Sequence, residues 1–128
     1  MDLADIHANA RDQDRGRAFE IVDPFEGKPT GLKFTVAGPD SETSRRARLR
    51  MADDLAEAAG ADGRVSADAR ESARLHCLAA HILRWDVAED GKPVPLNTKN
   101  AVTVLRVAWI AAQVDAFLSD RRNFKPEA

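Results

Sequence analysis

The chain has 128 residues, of which 44% are hydrophobic and 31% are charged. This length predicts one globular domain, which can close a core without the help of a metal or a disulfide. The 19 basic and 21 acidic residues give a net charge of −2, which argues against a protein that chiefly binds a polyanion such as DNA. Cys77 is the single cysteine, so no intramolecular disulfide is expected, as is typical of a reducing cytoplasm.

The N-terminal 16 residues are polar, and Leu3 and Ile6 are their candidate apolar anchors. We therefore expect a frayed helix or a mobile arm over 1–16. This segment lacks the apolar core of a signal peptide, and charges interrupt the most apolar run of the chain. We expect no association with a membrane.

Residues 17–40 contain two runs in which apolar and polar side chains alternate, separated by a segment rich in Gly and Pro. Alternation with period two is typical of strands, and the intervening residues favour a bend. The sequence therefore predicts an antiparallel β-hairpin with a long loop. Its apolar face is Phe19, Ile21, Leu32, Phe34 and Val36.

Two helices are predicted to follow the hairpin. The first begins near Ser41, with Asp40 or Ser41 as its cap, and ends near Gly60, and the second spans roughly 67–85 with Ser66 as N-cap. The inner stripe of the first is Leu49, Ala52, Leu55, Ala56 and Ala59. The inner stripe of the second is Leu75, Leu78, Ile82 and Trp85.

The third predicted helix follows a tight reversal at Asp90-Gly91, starts at a cap formed by Asn97 or Thr98 and ends near Ser119. A charged tail over 120–128 completes the chain. The predicted fold class is α+β, mainly α, with an N-terminal two-stranded β-hairpin followed by a three-helix bundle in a single domain, 1–128.

This last helix is unusually apolar, since 14 of the 18 residues in 101–118 are hydrophobic. On a helical wheel they form two stripes. The first stripe is Val102, Leu105, Trp109, Ala112 and Ala116, and the second is Val107, Ile110, Val114 and Phe117. Either the second stripe lies under the hairpin as part of the core, or it stays partly uncovered as a contact for another copy or a client helix. The candidate partner-binding residues are Val107, Ile110, Val114, Phe117 and Phe124.

The sequence contains no complete motif for metal binding or catalysis. Cys77 and His81 share a helical face, but with His76 one step away they are too few for a zinc site, and we expect a buried thiol and two ordinary histidines. The segment DVAEDG at 86–91 begins like a calcium loop, but Ala88 lacks the ligand oxygen that such a loop requires. With no phosphate loop or nucleophile motif, no enzyme, metal or cofactor is expected.

The segment RRARLR carries the one concentrated charge in the chain, at Arg45, Arg46, Arg48 and Arg50. An exposed face balanced by Asp53, Asp54 and Glu57, with an ion pair between Arg50 and Asp54, is one interpretation. The other is docking onto an acidic protein surface or a nucleic-acid phosphate. The acidic net charge favours the protein surface.

Three segments carry a resemblance to a known family. They are PFEGKPTGLKFTVAGPDS at 24–41, WDVAEDGKPVP at 85–95 and WIAAQVDAFLSDRRNF at 109–124. Together they resemble the small tail assembly chaperones of long-tailed bacteriophages, and the likeness spans roughly 17–124.

The resemblance implies a non-catalytic protein of the host cell cytoplasm that coats the apolar, helical tape-measure protein and helps bring tail-tube subunits to it. Self-association is also expected. Two other functions stay open: a structural minor tail or connector protein of the virion, and a small nucleic-acid-binding regulator that uses the cluster at 45–50.

Overall fold

Helices dominate the fold of the computed structural model, which describes residues 1–126. In chain order the described elements are α1 (Leu3–Asp12), a 3₁₀ turn (Gln13–Arg15), β1 (Arg17–Val22), β2 (Pro29–Val36), α2 (Glu42–Ala58), α3 (Ala67–Ala80), β3 (Ile82–Asp86), β4 (Ala88–Glu89), β5 (Lys92–Pro93), α4 (Thr98–Leu105), α5 (Ala108–Ser119) and a 3₁₀ turn (Arg121–Phe124). The predicted class, α+β and mainly α, is confirmed. The last two residues of the predicted tail lie outside the described part of the chain.

The predicted hairpin is present, but it is part of a larger sheet. β1 and β2 pair in antiparallel register with Phe19 opposite Phe34, and β3 adds to the other side of β2 with Trp85 opposite Phe34. β4 and β5 form a separate two-stranded hairpin whose turn has positive φ at both Asp90 and Gly91, as the predicted tight reversal requires.

The second predicted helix ends earlier than expected, at Ala80 instead of residue 85. His81 closes α3, because its Nδ1–H donates to the carbonyl of Cys77 at 2.7 Å. The next five residues form β3, whose backbone groups pair with β2. Ile82 and Trp85 therefore pack in or against the core from a strand and not from a helix. Branched and aromatic side chains are common in strands.

The N-terminal segment forms a helix, which was one of the two structures expected for 1–16, and the helix is capped. At its start Asp2 and Asp5 form a reciprocal capping box. At its end the buried Gln13 accepts a hydrogen bond from the backbone N–H of Asp40 at 2.8 Å, and its own carbonyl accepts from Gly38. These bonds hold the end of α1 against the loop before α2.

The helix predicted over 98–119 is broken at Arg106 and Val107 into α4 and α5, whose axes meet at 105°. Asn97 caps α4 as predicted, since its side chain accepts from the backbone of Asn100 at 2.8 Å. The bend sends two short apolar faces into one core from different directions. No single helix within 1–126 has the length and hydropathy of a membrane span, although α4 and α5 pass such a test as a bent pair.

The core lies between the sheet and the helices α3, α4 and α5. Its buried side chains include Ile21, Phe34, Leu78, Leu105 and Val114. α2 contributes little to it. Of the predicted inner stripe of α2, Leu49 is 53% exposed and Ala52 and Ala56 are exposed as well, whereas Leu55 and Ala59 are half-buried. The helix is turned so that its buried residues are Ser44 and Ala47.

Candidate functional site

The structure places most of the predicted partner-binding residues inside the subunit. Ile110, Val114 and Phe124 are buried, and Phe117 stacks on Phe19 of β1 with ring centroids 4.2 Å apart. Val107 is the exception, at 42% exposure. The structure therefore places three members of the second stripe, Ile110, Val114 and Phe117, in or against the core, as the first of the two interpretations has it, and leaves Val107 partly uncovered.

The side chain of Gln113 fastens α5 to the edge of the sheet. Its Oε1 accepts from the backbone N–H of Val22 at 2.9 Å, and its Nε2 donates to the carbonyl of the same residue at 2.7 Å. These two bonds pair the backbone N–H and carbonyl of Val22 at the edge strand β1. It also fixes the position of α5 relative to the hairpin.

The bend between α4 and α5 opens an apolar groove of about 320 Å³ on the surface, which we name the elbow groove. Its apolar walls are Leu32, Val87, Val94, Val104, Val107 and Ile110. Polar side chains at its margin are Glu89, Asn100 and Thr103. Several valines with a few polar groups form the kind of lining that binds apolar side chains of another molecule.

Hydrogen bonds hold the wall of the groove that is built by the β4–β5 hairpin. The indole N–H of Trp85 donates to the carbonyl of Val94 at 2.8 Å, and the N–H of Val94 donates to Val87 at the same distance. Asn100 then ties α4 to this wall by donating to the carbonyl of Pro95 at 2.9 Å. A groove that is organised before binding loses less conformational entropy when a ligand enters.

Two predicted residues, Val107 and Ile110, line the elbow groove, whereas the other members of this surface were missed by sequence reasoning. Val87 and Val94 flank the Asp90-Gly91 turn, and Val104 belonged to neither of the two predicted stripes. The alternation of valine and polar residues around that turn was the one available indication. This pattern does not predict a groove unless the bend between α4 and α5 is known.

The arginine cluster is exposed, and three of its four members pair with acids of the same helix. Arg45 and Arg46 approach Glu42 at 3.2 and 3.5 Å, and Arg50 approaches Asp54 at 3.2 Å. Arg48 donates to the carbonyl of Ser44 at 3.4 Å. The predicted pair of Arg50 with Asp54 is confirmed, and the observed pairs support the interpretation of a balanced, solvated face.

The cysteine and histidines of α3 are not brought together as metal ligands. Cys77 is half-buried, and burial raises the pKa of its thiol, while His76 is exposed and bonds within α3. His81 is buried and uses its Nε2 on the hydroxyl of Ser44, 2.9 Å away. Within residues 1–126, no three His, Cys, Asp or Glu side chains are grouped to hold a metal ion.

Compared with known proteins, the chain matches no family model, no curated protein and no solved structure.

Proposed function

We propose that the protein is a non-catalytic assembly chaperone of a phage tail, which binds the apolar, helical tape-measure protein and aids recruitment of tail-tube subunits. The observation that carries the proposal is the elbow groove, an apolar surface held open by a helix bend. The resemblance of three segments to tail assembly chaperones supplies the identity of the client. A host cell cytoplasm follows from the same resemblance.

The elbow groove suits one turn or two of a client helix. Apolar residues spaced three or four apart on such a helix would insert between Val94 on one wall and Val104 and Val107 on the other. Burying two or three of them stabilises the complex by about 1.5–3 kcal/mol each before association costs. Each contact is therefore weak, and many copies along one long client would bind through avidity.

The test is co-expression with the large helical protein encoded beside this chain, followed by measurement of its solubility and co-purification. Val107→Asp is the informative variant. It places a carboxylate in the groove, while Asp is a favourable residue at the start of α5. Ala88 of β4 also lines the elbow groove at an exposed position, and Ala88→Asp adds a charge there.

The matched control is Ala108→Asp, an exposed neighbour of Val107 that carries the same charge change outside the groove lining. We expect the wild type and Ala108→Asp to keep the client soluble and the two groove variants to lose at least tenfold in captured client. Equal capture by all four proteins would exclude the elbow groove as the client site. Failure of the wild type to solubilise or retain the client would exclude the proposed function.

A further inference from the structure

The loop between β1 and β2, residues 23–28, which we name the hairpin tip, carries a phenylalanine that the subunit does not cover. Phe25 is 86% exposed, whereas the other four phenylalanines of the chain pack in or against the core. Pro24 and Pro29 beside it are exposed as well. A phenylalanine that becomes buried removes about 150–250 Å² of surface from water. Phe25 is therefore a large apolar side chain available for contact with another molecule.

Hydrogen bonds fix the backbone that presents Phe25. The carboxylate of Asp23 accepts from the backbone N–H groups of Phe25 and Glu26 at 2.8 and 2.7 Å. It also accepts from Lys28 at 3.2 Å, and the N–H of Asp23 donates to the carbonyl of Lys28 at 2.8 Å. Gly27 completes the loop with a φ of 73°. Because the loop is ordered before binding, little backbone entropy is lost when a partner covers Phe25.

The elbow groove lies at the same end of the subunit as the hairpin tip. Pro29 pairs with Val22 at the end of the hairpin, and Leu32, on the groove wall, follows Pro29 by three residues. Phe25 is three residues beyond Val22, so at most about 11 Å of chain separates the two. Since Phe25 is exposed, it does not fill the groove of its own subunit. Each subunit thus has an uncovered aromatic side chain close to an uncovered apolar groove.

The elbow groove matches the ring of Phe25 in size and polarity. A cavity of about 150 Å³ is enough to hold a benzene molecule, and the groove has a volume of about 320 Å³ with walls formed chiefly by aliphatic side chains. Glu26 and Lys28 pair with each other at 2.7 Å, so neither brings an unpaired charge to these walls. A second copy of the chain therefore supplies a site that fits Phe25.

We propose that two copies of the chain form a twofold dimer in which Phe25 of each subunit occupies the elbow groove of the other. Because the hairpin tip and the groove lie close together, two copies related by a twofold axis make both contacts at once, and association stops at the dimer. The second contact forms within the complex and strengthens the first through effective concentration. The two rings and the walls that cover them bury about 600–1,000 Å², less than a standard interface, so the dimer is weak.

The dimer covers the surface that binds the client. In this consequence the inference rests on the proposed function, because a tape-measure helix and a second copy compete for the elbow groove. A long client that engages many copies displaces the dimer contacts through avidity. In the free protein, the dimer keeps an apolar groove out of contact with other proteins.

Sedimentation velocity of the full chain from about 10 µM to about 1 mM should show the wild type approaching a dimer and no larger species. Phe25→Ala should weaken dimerisation at least tenfold and leave the fold intact, because the side chain is exposed. The matched control is Leu49→Ala, which truncates another exposed apolar side chain, on α2 and outside the groove lining, and should dimerise as the wild type does. A wild type that stays monomeric, growth beyond the dimer, or equal dimerisation of Phe25→Ala and wild type would overturn the proposal.

Methyl NMR identifies the surface that receives Phe25. The methyl resonances of Val104 and Ile110 should shift as the concentration of the wild type is raised over the same range. In Phe25→Ala the same resonances should stay in place. A wild-type dimer that forms without shifting them would show that Phe25 binds elsewhere and would overturn the proposal.

Client capture separates this inference from the proposed function. Phe25→Ala keeps an intact groove, so it should capture the tape-measure protein at least as well as the wild type does, whereas Val107→Asp should lose both dimerisation and capture. Loss of capture in Phe25→Ala would show that Phe25 contacts the client, and would overturn the proposed competition. A dimer that forms as expected from a wild type that captures no client would support the exchange of Phe25 and exclude the proposed function.

Discussion

A buried glutamine, Gln13, joins two separate parts of the chain, α1 and the loop before α2. Its Nε2 donates to Asn9 of α1 at 3.0 Å, and its Oε1 accepts from the backbone of Asp40 at 2.8 Å. A Cβ on Gly38 would overlap this same side chain. Nothing in the polar pattern of residues 1–16 indicated that this glutamine is buried, because its partners lie about 25 residues away.

We predict that Gln13→Ala lowers the free energy of unfolding by about 2–4 kcal/mol, because it leaves a cavity and unpaired polar groups. Gly38→Ala alone should cost about 1–3 kcal/mol through overlap with Gln13. In the double variant the removed side chain leaves room for the new methyl group. Urea unfolding of the four proteins should therefore show a combined cost below the sum, and strict additivity would contradict the predicted contact.

His81 is a buried side chain whose two ring nitrogens both have hydrogen-bond partners. Because a carbonyl can only accept, Nδ1 holds the proton that is donated to Cys77, and Nε2 accepts from Ser44. Burial lowers the pKa of His81 below its ordinary value of 6.5, and nearby Arg48 acts in the same direction. The folded protein therefore binds fewer protons than the unfolded chain as the pH falls below about 6.5.

Stability contributed by neutral His81 should be complete above about pH 6.5 and decrease below it, by at most about 1.4 kcal/mol per pH unit. Carboxylates such as Asp40, whose pKa is lowered by its hydrogen bonds with Arg121, affect a lower range, below about pH 4. Urea unfolding at pH 7.5 and 5.5 should show this loss in the wild type and a smaller one in His81→Gln. If the free energy of unfolding falls by the same amount between pH 7.5 and 5.5 in both proteins, His81 is not the group responsible.

At the scale of elements, the break between α4 and α5 determines where the apolar surface lies. No Gly or Pro marks it, and Val107 adopts an extended conformation (φ −73°, ψ 109°) at the start of α5 without a side-chain cap. Valine is a poor residue at that position. The bend is instead stabilised by burial of Val102 and Leu105 on one side and of Ile110 and Ala111 on the other.

Val107→Asp should consequently raise the free energy of unfolding by about 0.5–1 kcal/mol, since it supplies the missing cap and suits the helix dipole. The same variant is expected to lose client capture, so stability and binding should change in opposite directions. Thermal unfolding of Val107→Asp beside Ala108→Asp measures the first effect. A decrease in stability would mean that the valine contributes more by packing than the cap contributes by hydrogen bonding.

The candidate functions of the whole molecule differ in how salt should affect binding to the partner. An apolar client at the elbow groove should bind as well or better when salt is raised, whereas phosphate binding at Arg45, Arg46, Arg48 and Arg50 should weaken steeply. The net charge of −2 and the pairing of Arg45 and Arg46 with Glu42 favour the first. A chaperone should also be missing from purified virions, where a minor tail or connector protein would be present.

We predict that raising NaCl from about 50 to about 500 mM leaves capture of the tape-measure protein unchanged or increased. Capture would be measured by pull-down at each salt concentration, with immunoblotting of purified virions in parallel. Binding of the protein to DNA that weakens by about 10³-fold or more over this range would favour the nucleic-acid-binding regulator. Retention of the protein in virions at a fixed number of copies would favour the structural component.

Features that depend on residues close together in the chain could be predicted correctly from the sequence. The caps Ser41, Ser66 and Asn97, the Asp90-Gly91 turn and the pairing of the first two strands all appear as predicted. Caps and tight turns are set by hydrogen bonds and φ preferences within a few residues. Alternation within the two runs was enough to predict the hairpin.

Three features depend on packing between distant segments and could not be predicted: the end of α3, the rotation of α2 about its axis, and the division of the last helix into α4 and α5. The same apolar residues fit a continuous helical wheel and a bent pair equally well, and the choice depends on contacts with β1, β2 and α3, which are distant in the chain. Burial of Val114 in the same core as Ile21 and Phe34, and exposure of Leu49, follow from that packing. The free energy of burying an apolar side chain depends on what covers it, and periodicity shows which residues share a face but not which face is covered.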